Sequence, residues 1–155
     1  MVKVDIHVLK VCEYMKCGNI WNMQKNAYSR NLAERFLKEI KSGNRKTFVS
    51  SLHGEFIAEA SLVRDMGDPQ YTQEGKRIYF SRFLVKDEFR GKGIGTELAE
   101  YVFSQARSMG YTEISVGVDY DNWDALRLYH RLGFTQLLFT GEDEQGKYMK
   151  LLKYI

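Results

Sequence analysis

Three glycines at alternate positions, Gly91, Gly93 and Gly95, stand between an apolar run and a stretch of helical spacing, with Arg90, Lys92 and Thr96 beside them. Glycine admits close backbone approach and positive φ, and the first N–H groups of a helix have no acceptor inside it. A strand–loop–helix junction of this composition turns several N–H groups on one anion, so the chemistry it serves is phosphate binding. Lys86, Arg90 and Lys92 form the only basic cluster in the chain, and they gather at this loop. Two phosphate-loop patterns fail here. Lys92 lies between glycines with no Gly-Lys-Ser/Thr ending, which excludes the loop of nucleotide hydrolases. The dinucleotide fingerprint belongs to the first strand of a repeated strand–helix series, whereas this loop comes late in the chain.

The elements that must hold the loop are readable from period and punctuation. Residues 77–85, rich in aromatic and β-branched side chains, predict a strand; Leu98, Ala99, Val102, Phe103, Ala106 and Met109 recur at helical spacing until Gly110. Upstream, Val2, Val4, Ile6 and Val8 alternate with polar residues as a first strand. A helical segment is expected around 12–25, and a second helix, marked by Leu32, Phe36, Leu37 and Ile40, closes at Gly43. Residues 47–52 and 55–63 flank His53-Gly54 as a hairpin, and 64–76 reads as a long loop. Residues 112–118 predict a further strand; Asp121 or Asn122 then caps a helix closed by Gly133. Two last strands, 134–139 and 148–152, surround a loop from Gly141 to Gly146. The order predicts an α/β fold, a mixed sheet of about seven strands flanked by about four helices.

A chain of 155 residues, 44% hydrophobic and 28% charged, fits one domain over 1–155. A formal charge of +3 without a basic stripe argues against nucleic acid. Cys12 and Cys17 lack a second pair or nearby histidines, so no metal site is expected and free thiols are. His7, His53 and His130 have no evident partners. The N-terminal run has no continuous apolar core, hence neither signal peptide nor membrane span is expected, and the location is expected to be cytoplasmic.

The pattern Arg90-Gly-Lys-Gly-Ile-Gly95 after a strand ending Phe83-Leu84-Val85 resembles the acetyl-CoA pyrophosphate loop of the GCN5-related N-acetyltransferase (GNAT) superfamily. The resemblance strengthens where Asn122-Trp-Asp-Ala125-Leu-Arg-Leu128-Tyr129-His-Arg-Leu-Gly133-Phe134 meets every fixed position of that superfamily's second signature, N-x-x-A-x-x-L-Y-x-x-x-G-F. The close match covers about 78–134, and no single member stands out. It implies a GNAT-like domain, acetyl-CoA as acetyl donor without a metal, and transfer to a primary amine by direct attack in a ternary complex. Phe83, Leu84 and Val85 would line the pantetheine arm, two of them through backbone groups. Arg90, Gly91, Lys92, Gly93, Ile94, Gly95 and Thr96 would hold the pyrophosphate, and Asn122, Ala125 and Tyr129 the rest of the arm. Tyr129 would protonate the leaving thiolate. Fold analogy further implies a homodimer.

The general base is not given by the resemblance, because the strand 78–85 holds no Asp or Glu. Candidates are Glu59, ranked first, then Asp65, Asp68, Glu74 and Asp119; if alternation turns Ala58 and Ala60 inward, Glu59 faces solvent. Acidic residues gather in three loops, Asp65, Asp68 and Glu74 in one, Asp119, Asp121 and Asp124 in another, and 142–144 in the last. They favour a cationic acceptor such as a polyamine, an aminoglycoside-like amine or a peptide amine, or are simply solvated turns. Trp21, Tyr28, Tyr71, Tyr79, Tyr120 and Trp123 line an acceptor pocket or fill the core. The rival to an enzyme is a non-catalytic acyl-CoA sensor on the same fold.

Overall fold

The computed structural model describes residues 3–155; Val2, expected in the first strand, lies outside the described residues. Seven strands, β1 (Asp5–Val8), β2 (Arg45–Leu52), β3 (Glu55–Val63), β4 (Arg77–Val85), β5 (Glu113–Asp119), β6 (Gln136–Asp143) and β7 (Gly146–Tyr154), form one sheet in the order β1-β2-β3-β4-β5-β7-β6. The sheet is mixed: β4 and β5 run parallel, whereas β1 with β2, and β7 with both β5 and β6, are antiparallel. Three α-helices, α1 (Ala27–Ser42), α2 (Ile94–Ser108) and α3 (Trp123–Arg131), a nine-residue 3₁₀ segment at Val11–Asn19 and a short one at Asp87–Phe89 complete the described elements. The segment expected around 12–25 is therefore a shorter, tighter helix, started by Glu13 Oε1 accepting from the Lys10 N–H at 3.0 Å.

Contacts divide the chain into two compact units. The first is the chain up to Leu62 with Ser81–Val102. In it, α1 begins where Asn26 Oδ1 accepts from the Ser29 N–H at 2.8 Å and ends at Gly43, whose φ of +83° supplies the left-handed stop. Its apolar face, with Ala33 and Phe36, meets Val49 and Phe56 from the strands and Leu9, Tyr14, Cys17 and Met23 from the N-terminal segment. Phe48, the neighbour of Val49, contacts Tyr101 of α2, as expected for successive strand residues on opposite faces. Both faces of β3 are thus covered. The His53-Gly54 turn has positive φ at both residues, as a two-residue hairpin requires.

The second unit is Val63–Phe80 with Phe103–Ile155. Its core holds Phe80, Phe103 and Phe134, ring centroids 5.3 to 6.1 Å apart. The long loop is pinned rather than free: buried Arg77 bonds Glu113 at 2.8 Å and the Gln70 carbonyl at 2.9 Å, and Ser115 donates to the Tyr71 carbonyl. The final hairpin departs from expectation. β6 and β7 run on to Asp143 and Gly146, so Gly141 and the acidic pair Glu142-Asp143 are strand residues and only Glu144 and Gln145 form the turn. Aromatics flanking Gly141 explain it: Phe139 and Tyr148 fill the space its side chain would take.

Candidate active site

The glycine loop lies in the first unit. A short 3₁₀ turn at Asp87–Phe89 follows β4, then Gly91 (φ +73°) and Gly93 (φ +80°) bend the chain into α2. These two glycines meet nothing within 4 Å, so conformation is what demands them. Gly95 differs. A Cβ there would stand 3.1 Å from Val85 and 3.2 Å from Phe83, so its bareness lets the helix start sit against the end of β4. The first backbone bond across the start of α2 is Glu97 N–H to the Gly93 carbonyl, which leaves the N–H groups of Ile94, Gly95 and Thr96 with no acceptor inside the helix. Arg90 turns back, donating from Nε to the Val85 carbonyl at 3.2 Å and pairing with Asp87 at 3.1 Å. Lys92 and Thr96 are exposed.

The same unit buries a carboxylate. Glu59 is 5% exposed because both faces of β3 are covered, so it does not point to solvent. Burial pushes its carboxyl up to about 7, against the pull of Arg82 first, then Trp21 and Arg45. Trp21 is close enough to exert that pull, yet neither its Nε1 nor Glu59 Oε1 has a partner at hydrogen-bond distance and angle, and Arg82 Nε is likewise unpartnered. Arg82 has a φ of +55° within β4, and its guanidinium stacks 4.1 Å over the Trp21 ring. A non-glycine residue held in that region stores backbone strain of the kind that collects at functional sites. Burial lowers its pKa, opposed by Glu59. Arg45, also buried, donates to Ser81 at 3.0 Å and stacks over Phe36.

The second unit contains a cavity of about 440 Å³. Asp68 and Tyr71 come to it from the pinned loop, Tyr79 from β4, Gly117, Val118 and Asp119 from β5, Asn122, Ala125 and Tyr129 from α3, and Asp143, Tyr148 and Lys150 from the last hairpin. Register explains the convergence: Asp119 lies opposite Tyr148, and Gly117 opposite Lys150, on adjacent strands. The Tyr71 hydroxyl occupies the place a Gly117 side chain would need. Tyr129 is half-buried with its ring edge-on to Phe134 at 5.6 Å. Burial, then nearby Tyr79, push its phenol pKa up, which keeps the hydroxyl protonated at neutral pH. Lys150 is buried, donating to Asp68 at 2.6 Å and Gln70 at 2.8 Å.

Asn122 caps α3, its Oδ1 accepting from the Ala125 N–H at 3.2 Å, and lines the cavity as well. Asn122→Ala is expected to cost about 1 kcal/mol of stability, seen as a lower Tm.

Of the expected acidic residues, Asp68 and Asp119 line the cavity; Asp65, Glu74, Asp121 and Asp124 are not among its lining. Tyr71 and Tyr79 line it too, whereas Trp21 packs on the first unit's core and Tyr28, Tyr120 and Trp123 are exposed. His7 is not without a partner: Nε2 is 3.5 Å from Glu13, and its ring meets Phe56 edge-on. Cys17 is buried and Cys12 exposed, both free thiols. Asp143, of the expected acidic run 142–144, lines the cavity as well, whereas sequence reasoning missed Arg82, Tyr148 and Lys150. A positive φ inside a strand leaves no mark in residue type, but the clash of a lysine with the apolar run of β7 was a signal for Lys150.

A profile of the Acetyltransferase (GNAT) family matches residues 10–134. N-alpha-acetyltransferase MAK3 of Arabidopsis thaliana is 34% identical over 74 residues, 48% of this chain and 37% of the relative. N-acetyltransferase 8B of Homo sapiens is 29% identical over 132 residues, 80% of this chain and 56% of the relative. The chain therefore spans less than two thirds of the length of either. Among solved structures, the PaiA N-acetyltransferase of Thermoplasma acidophilum, in complex with coenzyme A, is alike in fold with a TM-score of 0.72 at 13% identity, over 99% of this chain and 100% of that one. With the family profile matching most of its length and a mixed seven-stranded sheet to match, the chain belongs to the acetyltransferase (GNAT) family.

Proposed function

We propose that this chain transfers the acetyl group of acetyl-CoA to a primary amine by direct attack in a ternary complex. The observation that carries the reading is the start of α2, where three N–H groups without helical acceptors follow two positive-φ glycines. That cradle fits a pyrophosphate, and Gly91, Lys92, Gly93, Ile94, Gly95 and Thr96 would hold it, with Arg90 swinging from Asp87 to the anion. The β4–β5 ladder comprises Arg77 to Tyr79 against Glu113 to Ser115, and the strand then runs on to Val85 beside the start of α2. Phe83 and Val85 would offer theirs to the pantetheine arm as an added strand does, beside Leu84. Asn122 and Ala125 would flank the arm on α3.

When bound, acetyl-CoA supplies a thioester carbonyl as electrophile. Attack of the amine nitrogen on the thioester carbonyl would form the new C–N bond and break the C–S bond, and the second proton the nitrogen sheds to become an amide would restore the Tyr129 phenol. Tyr129, protonated and half-buried, gives its Oη proton to the departing thiolate. Glu59, raised to about 7 by burial, accepts the proton that the ammonium must shed before it can attack. Because a thiol of pKa roughly 8.5 leaves readily, Tyr129→Phe is expected to lower kcat only about tenfold with KM unchanged.

Incubation with acetyl-CoA and a panel of primary amines, following free thiol, tests the reading. Amine-dependent thiol release supports it. Acetyl-CoA binding without release would make the chain a sensor, and neither binding nor release would refute the reading outright.

A further inference from the structure

The cavity of the second unit carries an uncompensated negative charge. Asp68, Asp119 and Asp143 face a single cation, Lys150, which leaves the lining with a net charge of −2. Lys150 is already committed to Asp68 and Gln70. Among the described residues, Asp119 and Asp143 have no ion-pair partner on the protein. They stand on β5 and β6 with β7 between, so about 10 Å separates their strands.

A volume of about 440 Å³ suits a small molecule rather than a folded partner. The walls are suited to an ammonium, since Lys150 Nζ stands 4.6 Å over the Tyr71 ring. The Tyr71 and Tyr79 rings meet tilted by 60° with centroids 4.7 Å apart, giving the cavity an aromatic wall for a methylene chain. A reacting amine must be neutral when it attacks, so it cannot compensate Asp119 and Asp143. A second cation on the same acceptor can.

Resting on the acetyltransferase reading, we infer that the acceptor is a small aliphatic diamine or polyamine, whose far ammonium is held by Asp119 and Asp143 while its near amine reacts beside Tyr129. The test compares kcat/KM for diaminobutane and butylamine in the wild type and in a variant carrying Asp119→Asn and Asp143→Asn. Both sites are exposed and both changes are isosteric, and a thermal melt checks that the fold is kept. The wild type should prefer the diamine at least about tenfold, and the variant should lose most of that preference with butylamine turnover little changed. Equal turnover of both amines, or a preference the variant retains, overturns the inference while leaving acetyl transfer intact. Should no amine be acetylated, the enzyme reading fails instead. Calorimetry with diaminobutane then decides the inference alone: binding weakened about tenfold in the variant supports it, and unaltered or undetectable binding refutes it.

Discussion

Gly93→Asp is expected to raise the Kd for acetyl-CoA at least about a hundredfold, equivalent to roughly 2.7 kcal/mol. Two effects combine. At φ +80° any side chain is strained by about 1–2 kcal/mol, which tends to turn the loop out of shape. The new carboxylate also brings a negative charge to the residue just before the N–H groups of Ile94, Gly95 and Thr96, repelling the anion they would bind. Gly93→Ala separates the two, since it carries the strain without the charge and should cost about tenfold. Gly18→Ala is the control, because a Cβ there meets nothing and no positive φ is involved. Titration calorimetry on the four proteins reads the series. Equal affinity in Gly93→Asp and wild type would remove the loop from cofactor binding.

Glu59→Gln is expected to lower kcat about a hundredfold or more while making the protein more stable at alkaline pH. The sign follows from proton binding. Burial raises the folded-state pKa from 4.5 to about 7, so between these values the native protein holds a proton that the unfolded chain has released. Stability therefore falls as pH rises through that window, and the ionised carboxylate is a burden above it. Glutamine never ionises, so its advantage grows from near zero below pH 4 to on the order of 2–3 kcal/mol at pH 8. Wild-type kcat/KM should rise with pH to a plateau above about 7, and that limb should vanish in the variant. Loss of activity together with loss of stability would make Glu59 structural.

The parts of this molecule readable in advance were those with local causes. Gly43, the His53-Gly54 turn and Asn122 act within a few residues of themselves, and each lies where its chemistry demands. The glycine loop was readable for the same reason, although the roles within it divide: Gly91 and Gly93 serve conformation, and Gly95 serves packing on Phe83 and Val85. What was hidden depends on partners distant in sequence. Asp68 and Lys150 are 82 residues apart and meet because the loop is pinned to the sheet and β7 lies beside β5. The burial of Glu59 required coverage of β3 on both faces, which alternation along one strand cannot report. The final hairpin was misjudged because Gly141 and three acidic residues read as a loop, whereas Tyr148 across the ladder and Phe139 beside it keep Gly141, Glu142 and Asp143 in β6 and leave only Glu144 of the three to the turn.

Acetyl transfer is most directly tested by following the acetyl group itself. With acetyl-CoA labelled in that group and diaminobutane as acceptor, mass spectrometry of the reaction should find the label on the amine, an equal amount of free coenzyme A, and none on the protein. Label that stays on coenzyme A at every pH, or that settles on exposed Cys12 before reaching any amine, would contradict direct transfer.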